Sequence, residues 1–114
     1  MASLTSSGKQ SSKGAPQRAA PKKLFFGVRR VVGESMSPVL DPGRVVLVAR
    51  KRLYHPEDVV VLLHKGKEKI KRVHIVHGDK YDVRGDNPSR STDSRHFGLV
   101  EKNNILGKVI WPIV

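Results

Sequence analysis

The stretch DVVVLLHKGKEKIKRVHIV (58–76) contains two apolar segments with a short charged turn between them. Asp58–His64 and Lys69–Val76 have the length of strands and are rich in Val and Ile. Lys65-Gly66-Lys67 lies between them and has the composition of a turn. This stretch therefore predicts two β-strands connected through a glycine turn.

Similar segments lie on both sides of this stretch. Further strands are predicted at Leu24–Val32, Arg44–Arg50, Tyr81–Arg84 and Ile105–Ile110. Short strands about ten residues apart, separated by turn-forming Gly, Pro, Asp and Asn, are typical of all-β domains. The predicted fold is mainly β, with coiled antiparallel sheets that form a partly open barrel. Helix should be minor, with one helical turn expected near Ser37–Leu40.

The composition describes one small basic domain. A chain of 114 residues with 38% hydrophobic content can bury one modest core. Cysteine is absent, which excludes disulfides and thiolate metal sites. Residues 1–30 carry seven cations and no acidic residue. Residues 1–23 are predicted to be a flexible basic tail, and residues 24–114 the folded domain.

The apolar segments are too short to cross a membrane. The longest runs, Val45–Ala49 and Val59–Leu63, fall far below the roughly 18 residues that a membrane-spanning helix needs. No continuous apolar segment of the kind found in secretory signals follows the first cations. The sequence therefore predicts no transmembrane segment, and a soluble cytoplasmic or peripherally membrane-associated protein.

Lys71 has an unusual position for a charged residue. Alternation along the strand places Lys71, Val73 and Ile75 on one face, so the lysine shares its face with apolar side chains. Burial disfavours the charged form of an amine and lowers its pKa, which would let Lys71 act as a base. The alternative is that its side chain extends from the strand into water.

Three motifs follow one another in the chain. Gly-Glu-Ser-Met-Ser-Pro (33–38) is followed by Lys-Arg-Val (71–73) and then by Gly-Asp-Asn-Pro-Ser-Arg-Ser-Thr-Asp-Ser-Arg (85–95). In this order they resemble the motifs of the type I signal peptidase family, over about residues 28–112. The resemblance implies a serine endopeptidase with a Ser-Lys dyad, in which a neutral lysine amine activates a serine hydroxyl. The chain resembles a minimal catalytic core of that family.

The resemblance also implies a role for each matching residue. Ser35 would be the nucleophile, and Lys71 the general base that later protonates the leaving amine. The hydroxyl of Ser91 would orient the lysine amine, and Asp93 and Arg95 would form a supporting ion pair.

The same comparison covers the turn and the oxyanion site. Gly85, Asp86 and Asn87 would shape the turn beside the dyad, and the backbone N–H of Ser35 would stabilise the oxyanion. Some family members supply a second donor from a Ser two residues before the nucleophile, where this chain has Gly33. The source of a second oxyanion donor stays open.

The resemblance implies a protein or peptide substrate with small residues, typically Ala, before the scissile bond. Such a substrate would bind in an extended conformation by strand addition. Met36 and Val73 are candidates to line its pocket, with ordinary core packing as the alternative. No cofactor is expected. Soluble relatives that trim a propeptide, including the proteases that mature nickel-type superoxide dismutase, are a candidate subgroup.

Other functions stay open at this point. A self-cleaving regulatory domain of the SOS-repressor type would share the Ser-Lys chemistry, with Ala15 or Ala19-Ala20 as its upstream cleavage candidates. The basic tail would attract anionic membranes or nucleic acid, although no nucleic-acid recognition motif is present and this partner is not expected. His74 and His77 are interpreted as surface imidazoles, and no metal site is predicted.

Overall fold

The computed structural model describes residues 26–114, and the predicted tail at residues 1–23 lies outside this part. Within it, the chain forms seven strands and one short helix, α1 (Ser94–Phe97). The strands are β1 (Phe26–Arg30), β2 (Val45–Ala49), β3 (Val59–His64), β4 (Lys67–His77), β5 (Lys80–Arg84), β6 (Val100–Glu101) and β7 (Ile105–Trp111). Single turns of 3-10 helix cover Pro88–Arg90 and Lys102–Asn104.

All seven strands belong to one antiparallel sheet with the order β1-β2-β7-β3-β4-β5-β6. The sheet does not close, since β1 and β6 end it and do not pair with each other. It nevertheless coils strongly. Arg29 of β1 reaches Glu68 of β4 at 2.6 Å, although three strands separate them in the sheet. The mainly β, partly open architecture predicted from the sequence is confirmed.

Strand β3 explains how the domain buries its core. Val59 and Val61 point into one apolar cluster, and Val60 and Leu62 point into a second cluster on the opposite face. A strand covered on both faces is apolar at successive positions instead of alternating. The uninterrupted VVVLL run therefore marks the centre of the sheet.

The two clusters share β3 and divide the remaining elements. The first contains Val31, Met36, Leu40, Val46, Val48, Val59, Val61 and Val109. The second contains Tyr54, Val60, Leu62, Val73, Tyr81, Val83, Val100 and Ile105. The segment after β1 is thus anchored in the first cluster, and the second half of β4 in the second.

Two local details differ from the expectations. The register between β4 and β5 shifts between Val73 and Ile75, because His74 is an extra residue in β4. The prediction that Ile75 shares the buried face with Lys71 is therefore wrong. Ile75 is 43% exposed, and Val76 packs against the second cluster instead.

The segment near Ser37–Leu40 is a turn without an assigned helix. The N–H of Leu40 donates to the carbonyl of Met36 at 2.8 Å, a single bond with helical spacing. The predicted helical turn is present to that extent only. The helix found among residues 26–114 is α1, far from Ser37–Leu40 in the sequence, and the sequence analysis did not predict it.

No helix in the described part of the chain is both long and apolar enough to span a bilayer.

Candidate active site

Ser35 lies in the loop that connects β1 to β2. The base of this loop is closed by two backbone bonds of 2.8 Å, from the N–H of Val31 to Arg44 and from the N–H of Gly43 to Val31. Met36, directly after Ser35, is fully buried in the first apolar cluster. The buried methionine fixes the backbone of the half-buried Ser35 from one side.

The segment after β5 holds the Ser35 loop from the other side. The backbone N–H of Asn87 donates to the carbonyl oxygen of Ser35 at 2.8 Å. The side-chain amide of Asn87 donates to the carbonyl oxygen of Glu34 at 3.1 Å. Residues 34 and 35 are therefore tied to a segment more than 50 positions later in the chain.

Gly85 makes this approach possible because it has no side chain. A Cβ at this position would lie 2.6 Å from the carbonyl oxygen of Ser35 and would clash with the side chain of Ser91. The backbone of Ser35 and the hydroxyl of Ser91 thus converge on the same point. The glycine is required here by space, in the turn where the sequence predicted it.

Lys71 reaches the same point from β4. Its side chain lies on the buried face of the strand, and only 4% of the residue is exposed. The Nζ atom donates to Ser91 Oγ at 3.2 Å. The extension of Lys71 into water, the alternative interpretation of the sequence, is therefore wrong.

Burial lowers the pKa of Lys71 below its ordinary value. Asp93 acts in the opposite direction, whereas the positive charges of Lys69 and Arg95 add to the decrease. A buried amine with this surrounding charge loses its proton more readily than a solvated lysine. This environment favours the neutral form of the Lys71 amine.

Ser91 connects Lys71 to a buried carboxylate. Its hydroxyl donates to Asp93 Oδ2 at 2.5 Å, and Asp93 is completely buried. Because a hydroxyl has one proton, Ser91 must accept the hydrogen bond from Lys71. The bond to Asp93 therefore decides which way the Ser91 oxygen faces.

Asp93 is held by several donors. Arg95 binds both of its oxygens, at 2.9 and 2.7 Å, and the backbone N–H of Gly85 donates at 2.9 Å. Burial by itself would raise the pKa of Asp93, but the hydrogen bonds from Arg95, Ser91 and the backbone lower it well below its usual range. Asp93 also caps α1 through the N–H of Arg95. The carboxylate is ionised and organises the whole segment.

Arg72 forms a second ion pair beside the site. It binds both oxygens of Asp86, at 3.0 and 2.8 Å, and donates to the carbonyl oxygen of Glu57 at 2.9 Å. The sequence analysis gave Asp86 a role in the turn but none to Arg72. The available signal was the position of Arg72, one residue from the candidate base in a strand that pairs with the segment leading to Asp86.

The two candidate pocket residues lie in the core. Met36 belongs to the first apolar cluster and Val73 to the second, and both are 0% exposed. Core packing, the alternative interpretation, describes these side chains in the structure. Their contact with a substrate stays a prediction.

Ser35 Oγ makes no hydrogen bond with Lys71 Nζ in the described part of the chain, where Nζ bonds to Ser91 instead. Catalytic hydrogen bonds are often long in free enzymes and tighten only when substrate binds. The structure brings the backbone of Ser35, the amine of Lys71 and the hydroxyl of Ser91 to one location. No group of three His, Asp or Glu side chains between residues 26 and 114 is arranged to hold a metal ion.

A cleft of about 170 Å³ lies between β1 and β4, and we call it the β1–β4 cleft. Its rim contains the charged residues Arg29, Arg30, Glu68 and Lys69, and its apolar lining includes Val46, Val61 and Ile70. The cleft also touches Val32, three residues before Ser35, and Ile70 directly precedes Lys71. The cleft is therefore lined by chain neighbours of both members of the candidate dyad.

Comparison with known proteins identifies the class. The chain matches the family described as Peptidase S24-like over residues 10–110, and it belongs to this family. It is therefore a serine-type peptidase of the Ser-Lys kind. This family has both signal-peptidase-like and self-cleaving SOS-repressor members. The match therefore supports the wider family, and it does not single out the type I signal peptidases that the motifs resemble. A search of the curated proteins found no match.

Proposed function

We propose that this peptidase cleaves a signal peptide or propeptide of another protein after a small residue, with Ser35 as nucleophile and Lys71 as general base. The observation that carries the proposal is the environment of Lys71. Its buried amine, whose pKa is lowered, bonds to Ser91 beside the backbone of Ser35.

The arrangement of protons supports the assigned roles. A neutral Lys71 amine donates one hydrogen to Ser91 and keeps its lone pair for the proton of Ser35. The Ser35 oxygen then attacks the carbonyl carbon of the scissile bond and forms a tetrahedral oxyanion. When this intermediate collapses, Lys71 returns the proton to the leaving amine, and an acyl-enzyme on Ser35 remains. Water, activated by the same amine, hydrolyses the ester and restores the hydroxyl.

The backbone N–H of Ser35 is a candidate oxyanion donor. It takes part in none of the loop hydrogen bonds in the described part of the chain, whereas the carbonyl of Ser35 is bonded to Asn87. Because the carbonyl of Ser35 is fixed, the unused N–H of the same residue is held in place as well. Such a preorganised N–H donor can stabilise developing negative charge.

Substrate binding along the β1–β4 cleft is supported by two open strand edges. Among the strands that the structure describes, β1 pairs with β2 alone, and β4 pairs with β5 from Arg72 onward. Within residues 26–114, the β4 backbone before Arg72 therefore has no strand partner on its second side, where an extended peptide would add hydrogen bonds. The apolar lining by Val61 and Ile70 suits the small side chains expected before the scissile bond.

Cleavage of a peptide library with the pattern Ala-X-Ala tests the proposal. The native protein should cleave after the second Ala, and Ser35→Ala and Lys71→Ala should each lose about 10²-fold or more in kcat/KM. Lys80→Ala, at an exposed position of β5, is the matched control and should keep full activity. Cleavage that persists in Ser35→Ala or Lys71→Ala would refute the dyad.

Self-cleavage is the second candidate, because the matched family includes self-cleaving members. The small residues available upstream, Ala15 and Ala19-Ala20, lie outside the described residues. Mass spectrometry of the purified protein after prolonged incubation separates the two functions. A new amino terminus in the native protein, missing in Ser35→Ala, would establish self-processing.

A further inference from the structure

The rim of the β1–β4 cleft has an unbalanced charge. Three of its residues are cationic, Arg29, Arg30 and Lys69, and Glu68 is its acidic residue. Arg29 binds both oxygens of Glu68, at 2.6 and 3.2 Å. The acidic charge of the rim is therefore already neutralised, and two cations are left over.

Neither remaining cation has a carboxylate partner in the described part of the chain. The ion pairs found there involve other residues. Arg30 donates to the backbone carbonyl of Gly43 at 2.9 Å. Lys69 Nζ lies 3.2 Å from His64 Nδ1. Their positive charges are available to a ligand in the cleft.

Lys69 is held in place by an aromatic support. Its Nζ lies 5.2 Å from the ring centre of Phe97, and the His64 ring stacks on the same Phe97 at 4.0 Å. The pKa of His64 is lowered, mainly by partial burial and to a smaller extent by the positive charges of Lys69 and Lys65. A neutral imidazole can accept the hydrogen bond from Lys69, which keeps the ammonium group in a defined position.

This position is close to the reacting bond. Lys69 and Lys71 are two residues apart on β4, so their side chains leave the same face about 7 Å from each other. A peptide that adds to the open edge of β4 and ends at the dyad must pass Lys69. The residues just before its scissile bond therefore meet a positively charged, ordered group.

We infer that the β1–β4 cleft selects an extended peptide that carries an acidic side chain within a few residues before the scissile bond. The inference rests on the proposed function and specifies its substrate class. The acidic group replaces the carboxylate that Lys69 and Arg30 lack. The apolar lining accommodates the small residues on either side of it.

The charge of the chain itself favours a substrate in another molecule. Residues 1–33 contain no Asp or Glu, since the first acidic residue is Glu34. The small-residue sites upstream are accompanied by Arg18, Lys22 and Lys23. A cationic rim repels such a segment, so the chain's own amino-terminal part is a poor ligand for this cleft.

Three peptides that differ at one position test the inference: Ala-Glu-Ala, Ala-Gln-Ala and Ala-Lys-Ala within a common flanking sequence. For the native protein we expect kcat/KM to fall in the order Glu, Gln, Lys, with the Glu peptide about fivefold better than the Gln peptide, as for a favourable ion pair at a partly exposed site. Lys69→Gln should bring this ratio close to one, and Lys69→Glu should reverse the order. Lys80→Gln removes one cation elsewhere and should leave the ratio unchanged.

The ratio separates selectivity from catalysis. Because Lys69 also lowers the pKa of Lys71, Lys69→Gln will change the rate for all peptides alike, but only a role in selectivity changes the ratio between them. Binding of the same labelled peptides to Ser35→Ala, measured by fluorescence anisotropy, gives a readout that needs no cleavage. Tighter binding of the Glu peptide to Ser35→Ala would support the inference even if the proposed dyad failed. Equal cleavage and binding of the Glu and Gln peptides, or binding of none, would overturn it.

Discussion

Two arginine–carboxylate pairs with similar geometry lie in different environments. Arg95 binds both oxygens of Asp93 behind Lys71, and Arg29 binds both oxygens of Glu68 at the rim of the cleft. Asp93 is fully buried, whereas the Glu68 side chain is 41% exposed. Burial, more than bond geometry, decides what each pair contributes. The buried pair fixes the position of Ser91, and the exposed pair neutralises one charge of the rim.

The largest effect is expected for Asp93→Asn. The substitution removes the charge that Arg95 and the Gly85 N–H face, and it leaves a buried amide with mismatched partners. We expect a loss of about 3–5 kcal/mol in the free energy of unfolding, as for other broken buried pairs. Urea unfolding with circular dichroism measures it.

The pH dependence of stability identifies the cause. Because the folded pKa of Asp93 lies below its ordinary 3.8, its stabilisation is fully present above that value and is lost as pH falls toward the folded pKa. Asp93→Asn should lack this acid-dependent loss. A stability change below 1 kcal/mol would mean that burial does not distinguish this pair from the one at the rim.

Gly85→Ala should have the next largest effect. Its Cβ would collide with the carbonyl of Ser35 and the side chain of Ser91, at a cost of about 1–3 kcal/mol for overpacking. Gly107→Ala is the matched control, since its Cβ would lie 2.6 Å from Val48 Cγ1, away from the dyad. Both variants should unfold more easily, but only Gly85→Ala should lose kcat per folded molecule. Equal kcat values would show that Gly85 does not position the site.

Lys71→Met should stabilise the protein. The folded pKa of Lys71 is lower than its unfolded value, so the unfolded chain binds more protons between the two values and stability rises with pH in that window. At neutral pH the Met variant should be about 1 kcal/mol more stable, because an isosteric apolar side chain avoids the desolvation of a charge. This gain should shrink as pH approaches 10.5. A gain that stays constant up to that pH would contradict the account.

Glu68→Gln should have the smallest effect. Both side chains of this pair are more than one third exposed, and such pairs contribute about 0–1 kcal/mol. We expect stability to change by less than about 0.5 kcal/mol, whereas the release of Arg29 should increase the preference for the Glu peptide. Unfolding in urea and the peptide ratio measure the two effects. A loss of stability as large as that of Asp93→Asn would remove the distinction between the two regions.

The sequence predicted features that depend on local patterns. The apolar run in β3 and the strands around it were correct because a buried strand needs continuous apolar residues. The face of Lys71 was also correct, since alternation holds from Lys71 to Val73. The prediction for Ile75 failed because the bulge at His74 inverts the alternation of side chains, and no residue in that segment marks a bulge.

Features that depend on distant contacts could not be predicted. The β1–β4 cleft requires the sheet to coil until Arg29 meets Glu68, and the pair Arg72–Asp86 depends on the register of β4 with β5. Helix α1 was missed because Asp93 was assigned to an ion pair, although Asp is also a favoured helix cap. The three motifs named the candidate residues, and the fold shows which of them are in contact.

The most direct test of the central claim is the titration of the Lys71 amine, followed by NMR of 13C-labelled lysine with Lys71→Met as the reference for assignment. The account predicts a midpoint clearly below 10.5 and a cleavage rate that rises with pH through the same midpoint, because only the neutral amine accepts the proton of Ser35. A midpoint at or above 10.5, or a cleavage rate that does not follow the titration, would contradict it.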